Sequence, residues 1–394
     1  MTNPIWVKKH AEMHRNLSLE SGYRMSLEEE IEKASAKISK DGYEMSIGEL
    51  MSLYSSKELI INPKYLRYFR WDISQKTRFI ESLILGIPVP PIFVFTSGKR
   101  WELVDGLQRM ATIFEFAGLL IDSTDTKGKR LVPPSVLEGT EFLPSLSSKR
   151  WEESAENAGD GLSDDLKFEI KRSRIRVEIL KKGTDPLTKF ELFQRLNSSG
   201  SPLSEQELRS CTIVMINEEL FGWMEKLSKS RAFVKSIGLT KRAIARQKSL
   251  EFLLRYLSYR NRPYKIGIDV HDYLDASAIS LASDPDFDRS KEEDYFKRTF
   301  TLLSDALGTN VFRKWDGATF SRQSSLSAFE YVTHGVSLNI DSILMLGTAA
   351  KDFVEARVKS IWADPGFKEH SKAGVRGTTR LANLLPKAGD FFKP

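Results

Sequence analysis

The stretch Val104-Asp105-Gly106-Leu107-Gln108-Arg109 concentrates side chains that could act on a phosphate. A short apolar run, Trp101–Val104, ends at Asp105, and Gly106 permits a sharp turn. Leu107 then opens a pattern with Met110, Ile113, Phe114 and Ala117 on one helical face, running to about Gly118. The first backbone N–H groups of such a helix lack intrahelical partners and make an anion site. Arg109 can grip a phosphate bidentately. Asp105 can hold a divalent cation or orient a water or ribose hydroxyl. Taken alone, the same residues also read as a plain turn followed by a surface arginine.

Other chemistry is sparser. Glu169-Ile170-Lys171, with Asp164 or Asp165 upstream, has the residue types of metal-dependent nucleases that use an acid and Glu-x-Lys on a strand. The five histidines (His10, His14, His271, His334 and His370) sit in no metal-ligand spacing, so no metal site is expected from them. There is no Gly-(x)4-Gly-Lys-Ser/Thr phosphate loop. From Lys229 to Lys265 there are eleven basic residues and one acidic residue, Glu251. Within that block Lys241, Arg242, Arg246, Lys248 and Arg255 partly follow helical spacing opposite an apolar face of Phe252, Leu253 and Tyr256. This is the charge pattern of a surface lying along a phosphate backbone, and equally of a solvated helix or a protein interface. Trp315 with Arg313 could stack on a flipped base, or Trp315 could be core.

The elements that must position these residues are legible in part. Ser26 with Glu29, Ser46 with Glu49 and Ser204 with Glu207 are capping boxes that open helices, the first over about 26–39 and the second over about 46–56. Leu59–Ile61 predicts a short strand. Ser74 to about Leu85 predicts a helix on the spacing of Phe79, Ile80, Leu83 and Ile84, closed by Gly86. Ile92–Phe95 and Trp101–Val104 predict a hairpin. Residues 121–165, rich in Ser, Gly, Pro and acids, predict a long, partly mobile insertion. Phe168–Leu180 alternates and predicts a half-buried strand, and Asp185-Pro186 opens a helix ending near Asn197. From Ser204 to about Ala363 the pattern is almost wholly helical. The expected fold is α+β, with an N-terminal helical extension over 1–40, an α+β domain over 41–200 and an α-helical domain over 201–394.

Of the 394 residues, 41% are hydrophobic and 28% charged, the composition of a globular protein with more than one core. No apolar run is long enough for a membrane helix. The single cysteine, Cys211, rules out an intrachain disulfide and a cysteine zinc cluster and fits a reducing cytoplasm.

Two further stretches frame the Asp105–Arg109 segment. Before it stands Arg70-Trp71-(x)4-Lys76-(x)6-Leu83-(x)2-Gly86-Ile87-Pro88-Val89-Pro90. After it stands Phe193-Gln194-Arg195-Leu196-Asn197-Ser198-Ser199-Gly200-Ser201-Pro202-Leu203-Ser204-(x)2-Glu207-Leu208. In this order and spacing the three resemble the Asp-Gly-Gln-Gln-Arg family found as the N-terminal half of GmrSD-type modification-dependent restriction enzymes. The resemblance covers about 60–210. Phe329-Glu330 and the Arg376–Leu385 segment resemble the family's tail more faintly. The resemblance implies a fold similar to ParB and sulfiredoxin, and a nucleotide-binding site that in several members hydrolyses nucleoside triphosphates. It nominates Asp105, Gln108 and Arg109 for catalysis, and Arg70, Gly106, Arg195 and Asn197 beside them for binding. The implied cofactors are a nucleoside triphosphate and Mg²⁺. The implied setting is antiviral defence, with DNA as partner, a separate nuclease or other defence subunit alongside, and homo-oligomers compatible with the family. Lys241, Arg242, Arg246 and Lys248 are the candidate DNA contacts. The family's fused His-Asn-His nuclease has no counterpart here, and Leu107 replaces the first glutamine of the motif. Two alternatives stay open: a stand-alone metal-dependent DNA nuclease, and a non-enzymatic DNA-binding or scaffold module.

Overall fold

The computed structural model describes residues 26–29, 31, 40–61, 71–122, 130–180, 195, 204–240, 243–244 and 246–394. They fall in two compact units, one within Met25–Leu203 and the other within Ser204–Pro394.

The first unit is built on a mixed five-stranded sheet in the order β1-β5-β3-β4-β2. β1 (Lys40–Ser46) pairs antiparallel with β5 (Arg174–Leu180), and β5 runs parallel to β3 (Ile92–Ser97). β3 forms the expected hairpin with β4 (Arg100–Asp105), and β2 (Leu59–Ile60) adds in parallel at the edge. Alternation places Ile175, Val177 and Ile179 of β5 in the core, while Arg174 and Arg176 are exposed.

Helices pack on this sheet. α1 (Ile47–Ser55) starts where Ser46 Oγ accepts the Glu49 N–H at 3.1 Å, and buries Ile47, Leu50, Met51 and Tyr54. α2 (Ile73–Ile84) begins one turn position earlier than the Ser74 start suggested. Its cap is Asp72, whose carboxylate accepts the Gln75 N–H while the Gln75 side chain accepts the Asp72 N–H. α3 (Leu107–Phe116) carries Met110, Ile113 and Phe114 into the core, and Phe114 stacks on Tyr54 with ring centroids 4.2 Å apart.

Two expectations for this unit are corrected. The strand predicted over Phe168–Leu180 is a strand only from Arg174; Asp164–Arg172 is a helix, α4. Ser163 caps it, Asp164 and Asp165 stand in its first turn, and Lys171 and Arg172 stand in its last. That arrangement complements the helix dipole and outweighs a short alternating pattern. The predicted mobile insertion is, over 130–163, irregular but packed. Leu137, Leu146, Trp151 and Leu162 are buried in the main core, and Trp151 meets Phe116 edge-on at 5.7 Å. Backbone bonds Leu137 N–H to Lys149 O and Leu162 N–H to Arg150 O tie the segment to itself. Polar composition reported its surface and hid four apolar anchors. The Asn62-Pro63 break and the Asp185–Asn197 helix lie outside the described residues, save for Arg195, which is helical.

The second unit is helical, in the order α5 (Glu205–Ile216), α6 (Glu218–Ser228), α7 (Arg231–Ile237), α8 (Lys248–Asn261), α9 (Val270–Ser283) and α10 (Arg289–Leu307). α11 (Leu326–Leu338), α12 (Ile340–Leu344), α13 (Ala350–Ser360), α14 (Pro365–Ser371) and α15 (Gly377–Phe391) follow. The Ser204–Glu207 capping box is present in both directions. Phe233, Tyr256, Phe296, Phe300 and Phe329 form its aromatic core. The helical pattern extends past Ala363, and it is interrupted by a two-stranded ribbon that the sequence reading missed: β6 (Arg313–Trp315) and β7 (Phe320–Ser324). Among the described residues, no helix is long and apolar enough to cross a membrane.

Candidate functional site

The hairpin and α3 bring Asp105, Gly106, Gln108 and Arg109 to one strand end. Asp105 closes β4, paired with Phe93 across a bulge in β3. Gly106 follows with φ 97°, a left-handed conformation, as the N-cap of α3, and no side chain caps the helix there. A Cβ at Gly106 would stand 2.5 Å from Ile92 Cγ2, so only glycine fits both the angle and the space.

Arg109 lies one helical turn beyond Asp105. Its Nη2 donates to Asp105 Oδ2 at 3.0 Å and to the Pro91 carbonyl at 2.9 Å. Its Nε–H is buried with no acceptor. Burial pushes the Asp105 carboxyl above the usual aspartate range, while the Arg109 charge and the Gly106 N–H pull it down. Both side chains keep some exposure, 25% for Asp105 and 16% for Arg109, so the pair is open to solvent on one side.

Gln108 turns toward the first motif, where its Oε1 accepts the Trp71 N–H at 3.2 Å. A second link joins the same helices. Lys76 Nζ donates to both carboxylate oxygens of Glu115 at 2.7 Å, each side chain largely buried. The sequence spacing included Lys76 but gave no sign that Glu115, inside an apolar helix, was its partner. Leu107, the residue that departs from the family motif, is half-buried and packs against the core. Arg195 is exposed and helical; Arg70 and Asn197 lie outside the described residues.

The runner-up acidic set does not assemble as a strand would assemble it. Glu169 and Lys171 lie on α4, two residues apart around a helix, with Ile170 between them buried. Among the described residues, no group of three His, Cys, Asp or Glu side chains could hold a metal ion. Within α5 and α9, His271 pairs with Glu205, and Arg209 Nε donates to Asp275 Oδ1 at 2.6 Å. Cys211 is buried.

The basic block divides on folding. Arg255, taken above as surface, is buried and donates to Glu251 and Glu330, each at 3.0 Å. Arg260 Nε pairs with Glu292 at 2.9 Å, Lys229 with Glu225 at 3.0 Å, and Arg262 donates to the Ala276 carbonyl at 2.8 Å. Lys248 is exposed but pairs with Glu251 at 2.6 Å, and Arg246 is exposed in the turn before α8. Lys241 and Arg242 lie outside the described residues. Two of the acids that pair with the block, Glu292 and Glu330, come from distant segments, which a local charge count could not include. The Arg313–Trp315 pair lies on β6, with Trp315 half-buried against Phe320 at 4.7 Å.

No curated protein matches the chain. Residues 47–214, by contrast, match the family model described as "GmrSD restriction endonuclease, N-terminal domain". The matched stretch runs from the first residue of α1 into α5 and contains all three motifs. Over that stretch, Asp105–Arg109 included, the chain is similar to the N-terminal domain of the GmrSD restriction endonucleases.

Proposed function

We propose that the chain is the nucleotide-binding component of a restriction-type defence system directed at DNA, with Asp105–Arg109 as its nucleotide site. The observation that carries this reading is the state of Arg109. Its guanidinium has a buried Nε–H without an acceptor and shares one carboxylate, at the uncapped start of a helix. A phosphate group satisfies such a donor set: it would take Nε and Nη of Arg109 together with the first N–H groups of α3. Asp105 would then be released from Arg109 to hold Mg²⁺. Mg²⁺ would supply neutralisation of the phosphate charge; the chain's own contribution is to position it. Gly106 keeps the backbone close enough for contact. Arg70, Arg195 and Asn197 would complete the binding groups from the flanking motifs. Leu107 is half-buried against the core, which supports a site that keeps nucleotide binding without the motif's first glutamine. Gln108 is the remaining candidate for orienting a hydrolytic water.

The test is a thermal-shift panel of ATP, GTP, CTP and UTP with Mg²⁺ on wild type, Asp105→Ala and Arg109→Ala. Binding to the native state raises the melting temperature by mass action. The expected result is a rise in wild type that both variants lose, with phosphate release measured next. No rise with any nucleotide overturns the site.

One observation favours a second reading. Arg109 also braces the Pro91 carbonyl against α3, so the motif could serve folding alone in a DNA-binding module. DNA retardation on a gel that is indifferent to every nucleotide would support that reading. DNA cleavage is assigned to a separate nuclease subunit. Incubation of the chain alone with phage DNA and Mg²⁺ or Mn²⁺ should leave the DNA intact, and cutting would overturn this division of labour.

A further inference from the structure

The β6–β7 ribbon is the part of the helical unit that its core does not explain. Val311 and Phe312 are buried beneath its first strand, and the Ser325 N–H donates to the Phe312 carbonyl at 2.7 Å, which fixes both feet of the ribbon. Its tip is held by Asp316, whose Oδ1 accepts the Ala318 and Thr319 N–H groups at 2.8 and 2.7 Å. Trp315 and Phe320 close one end, and Lys359 Nζ of α13 stands 4.8 Å from the Trp315 ring centre. A ribbon fixed at its feet and its tip is preorganised, yet β7 offers little to a core. Ser321, Arg322, Gln323 and Ser324 are all exposed.

The exposed chemistry is that of base-edge readers. Arg pairs bidentately with guanine in the major groove, which is wide enough for a two-stranded ribbon. The charge balance agrees: Arg313, Lys314 and Arg322 stand against one acid, Asp316, which is folded back onto its own turn. Among the described residues, no ion pair engages Lys314 or Arg322. In the basic block of Lys229–Lys265, by contrast, Lys229, Lys248, Arg255 and Arg260 are held in ion pairs.

We infer that the β6–β7 ribbon enters the major groove of duplex DNA, with Arg322 reading base edges and Lys314 contacting the backbone. This rests on the proposal above that the system is directed at DNA. It replaces the basic block as the main contact surface.

The experiment uses the full chain and two variants, Lys314→Glu with Arg322→Glu, and Arg322→Ala. All replaced side chains are exposed, and melting curves are recorded first to check that each variant folds. Binding is measured by gel retardation on fragmented phage DNA at two salt concentrations and by selection from a random duplex pool. The charge-reversed variant should bind at least about tenfold more weakly, with a shallower salt dependence. The alanine variant should keep most of its non-specific binding and lose the sequence preference that wild type enriches. Wild-type binding with both variants unchanged overturns the ribbon alone and returns the contact to other surfaces. Failure of wild type to bind any duplex overturns the DNA-directed reading and the ribbon with it.

Discussion

Glu330 in the helical unit and Asp105 in the sheet unit are both carboxylates held by arginine, and folding leaves them in opposite conditions. Glu330 on α11 is fully buried. It accepts from Arg255 Nη1 and Tyr259 OH at 3.0 Å and from Arg380 Nε at 2.7 Å, which joins α8, α11 and α15. Burial works against the Arg255 charge, but Tyr259, Glu330 and Glu251 around it hold its pKa above the ordinary arginine value. Asp105 has one arginine, partial exposure, and beside it a guanidinium N–H that nothing accepts. A closed network fixes helices; an open pair can exchange partners. Arg380 of the Arg376–Leu385 segment meets Glu330 in this closed network, so two stretches far apart in the sequence are joined by one ion pair.

The largest effect should come from breaking the closed network. Glu330→Ala leaves the Arg255 guanidinium buried without its main partner, and loss of one member of a buried pair costs about 3–5 kcal/mol. Urea unfolding should show this loss, and Glu330→Gln should recover part of it by keeping hydrogen bonds to Arg255 and Tyr259. A change below roughly 1 kcal/mol for Glu330→Ala would mean that the network is no firmer than a surface pair. The Asp105–Arg109 contrast would then lose its meaning.

Acid should sharpen the same comparison. His334 on α11 is buried, its Nδ1 has no partner, and burial, with Arg260 adding to it, pushes its pKa down to about 4 from 6.5. The unfolded chain therefore binds the proton more tightly. The stabilisation is fully present above about pH 6.5 and is lost as pH falls toward about 4. Over that window His334 alone should remove roughly 3 kcal/mol. Unfolding measured between these pH values should lose stability in wild type and lose less in His334→Gln. Equal slopes would remove histidine as the acid-sensitive group.

How much of this was legible beforehand follows the range of the interactions. The N-cap at Ser46, the capping box at Ser204, the hairpin and α3 depend on neighbours within a few residues, and they stand close to where the spacing placed them; at Ser46 the Glu49 side chain does not complete the expected box. The turn at Gly106 was readable for the same reason. The partners of Lys76, Arg255 and Arg260 were not, because Glu115, Glu330 and Glu292 lie 39, 75 and 32 residues away. The packed insertion was misread because Leu137, Leu146, Trp151 and Leu162 are too widely spaced to form a periodic pattern. The ribbon was missed since β6 and β7 are short and polar, and short polar strands carry no alternation to detect.

A middle-sized effect belongs to the turn itself. Gly106→Ala imposes a side chain at φ 97° and 2.5 Å from Ile92 Cγ2. A loss of about 2 kcal/mol is expected from strain and displacement together, measured by thermal unfolding. If stability falls and nucleotide-induced shifts vanish while Glu330→Ala retains those shifts, then the two regions separate as site and scaffold. Loss of the shift in both variants would instead place the effect in global stability.

The smallest expected change in stability is the most discriminating. Arg109→Lys keeps a positive charge near Asp105 and can still donate to the Pro91 carbonyl, so the brace is largely preserved and the cost should be about 1 kcal/mol or less. A lysine ammonium cannot offer the planar pair of donors that a phosphate takes from arginine. If the role is binding, Arg109→Lys should fold almost as wild type and lose most of its nucleotide-induced thermal shift. If the role is the brace alone, the variant should bind every ligand that wild type binds, DNA included, and differ only by its small loss of stability. The two outcomes are read from the same melting curves, and they divide an open pair that does chemistry from one that merely remains at the edge of a core.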